Sequence, residues 1–212
     1  MLPIYLTYDI GVDEFEIRAI MMALIEFKKL RPKQKITVHG SKPWSTGDYS
    51  SADWYIKSAK RIFREDLGRV QLDADSILTL LENEPWQEQQ SHIDLFFTSY
   101  DLSLRGINFC FGIARGRNTV QSVYRFRRLC ADDREIAIKT LVWHELGHIF
   151  GLASDLSRSN TRDCCGPHCT NEGCAMCQGV SVKEWVMHAR EVKKYGMIYC
   201  SQCMDDLRRA RP

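Results

Sequence analysis

Five consecutive residues, His144-Glu145-Leu146-Gly147-His148, put three groups capable of chemistry into little more than one turn of helix. On an α-helix, positions i and i+4 share a face, so the two imidazoles point the same way and together can hold one zinc ion. Glu145 stands beside the first of them, where its carboxylate can take a proton from a water held by the metal. Zinc brings two effects to such a site. It lowers the pKa of the water toward about 7 and polarises a carbonyl under attack. The bland alternative is a pair of histidines satisfied on an ordinary helix. The apolar flanks of the motif place that helix in the core, where two imidazoles and a carboxylate without partners would be costly. A metal removes that cost.

The second chemical feature is cysteine. The chain has nine in 212 residues, and only Cys110 and Cys130 precede Cys164; Cys165, Cys169, Cys174, Cys177, Cys200 and Cys203 follow it. A chain this long buries a sizeable core without cross-links, and a disulfide framework spreads its bridges, so a local cluster at short spacings indicates metal. The amino-terminal MLPIYLTYDI has no positive region and meets Asp9 at once, so it does not read as a secretory signal. No apolar run approaches the roughly 18 residues that cross a bilayer. The expectation is a thiol-reducing, cytoplasmic compartment and no membrane partner.

A catalytic zinc takes three protein ligands and a water, so a third ligand is required. The motif continues as Ile149-Phe150-Gly151, and a glycine there can adopt the left-handed conformation and turn the chain back toward the metal. Three residues further on stands Ser154, a poor zinc ligand, followed by the carboxylate of Asp155. Later the chain reads His168-Cys169-Thr170-Asn171-Glu172-Gly173-Cys174-Ala175-Met176, then Cys200-Ser201-Gln202-Cys203. The combined string HExxHxxG, HCxxxxCxM and CxxC resembles the archaemetzincins, zinc metallopeptidases of the metzincin clan with a long two-zinc motif. Residues 152–167 stand where that family has two residues, an insertion ahead of the third histidine.

The resemblance implies that His144, His148 and His168 bind a catalytic zinc and that Glu145 is the general base. It implies a second, structural zinc on Cys169, Cys174, Cys200 and Cys203, and a Met-turn residue at Met176. It further implies hydrolysis of a peptide or protein substrate. The clan's sheet has an antiparallel edge strand, corresponding to residues 109–115, to which an extended peptide can add through backbone hydrogen bonds. Alternatives stay open at three points. Asp155 competes with His168. Cys177 competes with Cys169, because Cys174, Cys177, Cys200 and Cys203 also have zinc-ribbon spacing. The insertion leaves room for an inert, zinc-stabilised binding or scaffold protein descended from a peptidase. Cys164 and Cys165 are spare thiols, ligands from the insertion or a redox-sensitive pair, and Cys110 and Cys130 read as packing residues.

The elements that must position these groups follow from periodicity. Strands are expected at 4–8, 35–39, 92–98, 109–114 and 120–126. Helices are expected at 13–30, 52–67, 74–81, 182–194 and across the HExxH segment, the last capped by Asp132 or Asp133 and ending at Gly151. A Gly-, Pro- and Ser-rich loop runs through Ser51. Alternating strands and helices predict an α/β fold with a mixed sheet of about five strands; the resemblance makes it zincin-like, packed on helices that include the HExxH helix. One domain, 1–212, is expected, with the sheet and active-site helix in 1–151 and a cysteine-rich, zinc-stapled part in 152–212. Lys and Arg number 29 against 27 Asp and Glu. The basic runs at 57–64 and 125–128 are interrupted at core spacing and the aromatic residues are dispersed, so they read as solvated faces rather than a nucleic-acid footprint. His39, His92 and His188 have no partner spacing and read as ordinary.

Overall fold

In the central strand β5 (Ile93–Thr98) every residue is buried, Asp94 and Thr98 included, as a strand flanked by others on both sides requires. It belongs to a five-stranded sheet with β1 (Ile4–Tyr8), β2 (Ile36–Gly40), β8 (Gly112–Arg115) and β9 (Asn118–Ser122), in the order β2-β1-β5-β9-β8. The pairs β1–β2, β1–β5 and β5–β9 are parallel, and β8 joins β9 antiparallel at the edge. This is the mixed α/β sheet with an antiparallel edge that the sequence predicts. The computed structural model describes residues 1–42, 51–65, 68–104 and 106–210. Most of the expected loop through Ser51, residues 43–50, lies outside them.

A second sheet was not anticipated. Its strands are β3 (Arg61–Arg64), β4 (Arg69–Asp73), β6 (Leu102–Leu104) and β7 (Ile107–Cys110), in the order β3-β4-β6-β7. The helix expected over 52–67 stops early. Ser51 caps α2 (Ala52–Ser58) by accepting from Trp54 N, and Ala59 is already extended. Residues 61–64 then alternate exposed and half-buried side chains and pair with β4. The strand expected over 109–114 is likewise divided between the two sheets at Phe111. α3 (Ala74–Glu82), capped by Asp73, and α2 pack Tyr55, Ile56, Ile77, Leu78 and Leu81 against Leu72, Phe96, Leu102 and Val120. The four-residue α4 (Trp86–Gln89) leads into β5.

The chain divides into two compact units, one of Met1–Glu14 with Lys33–Arg125 and one of Phe15–Pro32 with Phe126–Pro212. Both sheets belong to the first. The second is built from α1 (Glu14–Leu30), α5 (Ala131–Ile149), α6 (Val182–Tyr195) and α7 (Ser201–Arg209), with a hairpin of β10 (Thr161–Asp163) and β11 (Pro167–Cys169). Here α5 is buried almost without interruption from Ala137 to Gly147. Three polar groups fix it among its neighbours: Trp143 Nε1 donates to Ala23 O at 2.9 Å, Trp185 Nε1 to Ala137 O at 3.1 Å and Tyr199 Oη to Trp143 O at 2.6 Å. The buried Glu16 accepts from Arg127 and Arg134.

Two smaller expectations are corrected. The N-cap of α5 is Cys130; Asp132 and Asp133 fall in the first turn, where their charge suits the helix dipole, and Asp133 also holds Arg190. Cys130 is exposed rather than packed. Among the described residues, no helix is long and apolar enough to cross a membrane.

Candidate metal centres and active site

The C-terminus of α5 turns on Gly151, whose φ of +68° is the left-handed conformation that glycine adopts without penalty. Gly151 N bonds His148 O at 3.0 Å and Leu152 N bonds Gly147 O at 2.9 Å, closing the last carbonyls. Residues 152–167 then form the β10–β11 hairpin, with Arg162 opposite His168, and β11 returns His168 to the helix. The ring of His168 stacks on His144 with centroids 5.1 Å apart and meets His148 edge-on at 4.8 Å. Nε2 of His144 and Nε2 of His148 are 3.1 Å apart, and one nitrogen from each of the three rings lies within 4.8 Å of the others.

Two of the rings are oriented from behind. His144 Nδ1 is 2.8 Å from Ala175 O and His168 Nδ1 is 2.8 Å from Gly166 O. Each Nδ1–H donating to a carbonyl leaves the Nε2 lone pair free, the tautomer a metal ligand needs. Burial holds all three below the ordinary histidine value, His148 at about 3; neighbouring rings add to it at His144 and His148, and the charge of Arg162 adds to it at His168. Three converging neutral nitrogens have no hydrogen to share among themselves, and a cation satisfies all of them at once. Glu145 adds the complementary feature. Its carboxyl is buried, Oε2 has no hydrogen-bond partner, and burial raises its pKa to about 8.

Met176 is fully buried with its side chain packed on α5 at Gly147; a Cβ on Gly147 would overlap the Met176 sulfur. The glycine inside HExxH is therefore a seat for Met176, a role not read from the sequence. Trp185 also escaped notice, although its ring meets His144 edge-on at 5.3 Å.

Cys169, Cys174, Cys200 and Cys203 form a second buried group, their sulfurs within 4.8 Å of one another. Hydrogen bonding to Cys169 is the largest influence on two of them, pushing the Cys174 thiol up and the Cys200 thiol down. Four sulfurs this close cannot all ionise unless a cation compensates them, and four thiolates are a donor set suited to zinc. Cys177 is outside the group: it bridges Cys169 through backbone, and burial raises its thiol to about 11. Asp155 does not join the histidines. It is exposed and accepts from Ser157 N and Ser157 Oγ, which lowers its pKa. Cys164 Sγ lies 3.6 Å from His168 Nδ1, on the edge of the ring that faces Gly166 O; Cys165 is exposed.

A third group lies in the first unit and includes a histidine that had read as ordinary. His92 Nε2 is 3.0 Å from Glu84 Oε1 and 3.2 Å from Asp94 Oδ1, and all three residues are buried. Burial opposes a charge on the ring, but the bonds and charges of Asp94 and Glu84 outweigh it and raise His92 to about 10. The carboxylates thus favour a protonated ring here.

The first site is a cluster of three histidine nitrogens on and beside an HExxH helix, in a fold that pairs a mixed sheet with helices. No family model matches the chain. Among characterised proteins it is similar to the archaemetzincin of Methanopyrus kandleri, 34% identical over 120 residues, which are 54% of this chain and 55% of that one. The chain thus matches about half the length of that relative. Its structure aligns with the M. kandleri archaemetzincin at a TM-score of 0.68 and 21% identity, over 98% of this chain and 94% of that one. It aligns with the Archaeoglobus fulgidus archaemetzincin, solved with malonate, at 0.61 and 20%, over 97% and 99%. A zinc-dependent peptidase from Methanocorpusculum labreanum gives 0.63 and 17%, over 96% and 99%. The chain has the archaemetzincin fold and resembles that family in sequence.

Proposed function

We propose that the protein is a zinc-dependent metallopeptidase of archaemetzincin type, with His144, His148 and His168 holding a catalytic zinc and Glu145 moving the proton. Four thiolates, of Cys169, Cys174, Cys200 and Cys203, hold a second, structural zinc. The observation that carries the reading is the convergence of three imidazoles, two of them oriented from behind by backbone carbonyls, beside a buried carboxyl with an unpartnered oxygen.

When bound, zinc supplies Lewis acidity to the scissile carbonyl and acidity to the attacking water. The residues of the chain supply the rest. The three imidazoles stay neutral because burial opposes their protonation, and the carbonyls of Ala175 and Gly166 keep two of them aimed. Glu145 takes the proton of the attacking water and passes it to the leaving amine. Its buried carboxyl has one unpartnered oxygen, available to carry that proton between the two transfers. Met176 on Gly147 fills the space behind the helix and keeps both histidine-bearing turns in place.

The substrate is a peptide or protein; neither nucleic acid nor membrane enters the reading. The reading places the protein in a reducing cytoplasm, where thiolates stay available to a metal. The test is Glu145→Gln, assayed for peptide hydrolysis and zinc together. Zinc content should stay at the wild-type level while turnover falls by about 10²–10⁴-fold. Retained turnover would sink the role given to Glu145.

A further inference from the structure

The insertion at 152–167 does more than lengthen the path to His168. Asn160 Nδ2 lies 3.5 Å from Cys169 Sγ and 3.8 Å from Cys200 Sγ, so one amide bridges two of the four sulfurs. Arg158 Nη2 lies 3.9 Å from a third, Cys203 Sγ. Its guanidinium is also anchored on α7, with Nη1 2.6 Å from Asp206 Oδ2 and 3.3 Å from Gln202 O. Asp206 in turn accepts from Ala153 N at 3.1 Å, so the start of the insertion is tied to the same helix. Thr170 N bonds Asn160 O at 2.8 Å, which joins the loop to the strand that carries His168 and Cys169.

The orientation of the Asn160 amide is informative. Its Oδ1 is buried and has no hydrogen-bond partner. Turning the amide over would point that oxygen's lone pairs at two sulfurs, so the NH₂ faces the sulfurs at the cost of an unpaired oxygen. Such an arrangement is favoured when the sulfurs carry negative charge. One zinc ion with four thiolates has a net charge of −2, and N–H donors and a guanidinium are the groups that stabilise it.

We propose that Asn160 and Arg158 cap the thiolate centre: they hydrogen-bond its sulfurs, lower their nucleophilicity and tie retention of that metal to the placement of His168. The inference rests on the reading that these four cysteines hold zinc. Both are positioning residues and touch no substrate.

The experiment uses the full-length, zinc-loaded protein treated with iodoacetamide, with zinc release followed by a chromogenic chelator. A cobalt-substituted sample reports the sulfur-to-metal charge-transfer band. Asn160→Ala should speed release by about tenfold and move the band to lower energy, since the loss of groups that orient and polarise ligands typically costs 10–100-fold in metal affinity. Arg158→Ala should act in the same direction, and Arg158→Lys should recover most of the loss. Should Asn160→Ala fail to fold, the two Arg158 variants carry the test. Unchanged release and an unmoved band in Asn160→Ala, in a protein whose zinc content falls in Cys200→Ser, would overturn the cap alone. Zinc content unchanged in Cys200→Ser would overturn the thiolate reading beneath it.

Discussion

His144 and His168 in one unit and His92 in the other are all buried, and each has its Nδ1 against a backbone carbonyl, of Ala175, Gly166 and Gln90. Their Nε2 atoms meet different company. At His92 two carboxylates approach, and the ring is driven to about 10 and keeps its proton. At the HExxH helix the neighbours are other imidazoles, and every ring is driven below its ordinary value. Burial acts in the same sense at both places; the charge of the neighbours decides the outcome. The first arrangement favours a protonated ring, and the second presents nitrogen lone pairs that a metal would satisfy.

Four changes break or sharpen this contrast. The largest effect belongs to the metal side. His144→Ala should remove the catalytic zinc and lower peptide hydrolysis by roughly 10³-fold or more, read by metal analysis and a turnover assay. His92→Ala should leave zinc content unchanged, yet cost about 3–5 kcal/mol in denaturant unfolding because it strands two buried carboxylates. A loss of zinc in His92→Ala would erase the distinction. Gly147→Ala adds one methyl group where the Met176 sulfur already packs, and should cost about 1–3 kcal/mol in the same unfolding experiment.

The last effect is in pH, on protein freed of metal. The His92 ring has a raised folded pKa, so its contribution to stability is complete below 6.5 and is lost as pH rises through about 10. The three histidines on the metal side have lowered folded pKa values. Below 6.5 the unfolded chain takes up protons that the folded chain refuses, so stability falls as the solution is acidified. The stability difference between wild type and His92→Gln should therefore shrink from pH 6 to pH 10. The difference between wild type and His148→Gln should run the other way, growing in favour of the variant as pH falls below 6.5.

The metal side was legible because its information is local. HExxH fixes two rings through the helical period, and Gly151 announces the turn that ends α5. His168 required a longer argument, since only its adjacency to Cys169 distinguishes it from any other histidine. Spacing alone could not separate Cys169 from Cys177, because the two lie side by side through a β-bridge and only one sulfur joins the group. His92 was opaque for the opposite reason. Its partner Asp94 is two residues on, in β5, but Glu84 comes from the loop after α3, and no spacing announces that meeting. The second sheet was hidden because Ile62 and Phe63 continue the apolar period of α2, and only the extended backbone at Ala59 ends that helix. In α7, Cys200 and Cys203 read as a ligand pair, and that reading masked the helix of which Cys203 and Leu207 are the buried face.

The proposal turns on His168, carried back to α5 by the β10–β11 hairpin, completing a catalytic zinc site distinct from the thiolate site. Zinc per chain, counted in the purified wild type, Glu145→Gln, Asp155→Ala and His168→Ala, tests it most directly. The account predicts two, two, two and one. Two zinc ions retained in His168→Ala, or one lost in Asp155→Ala, would contradict it.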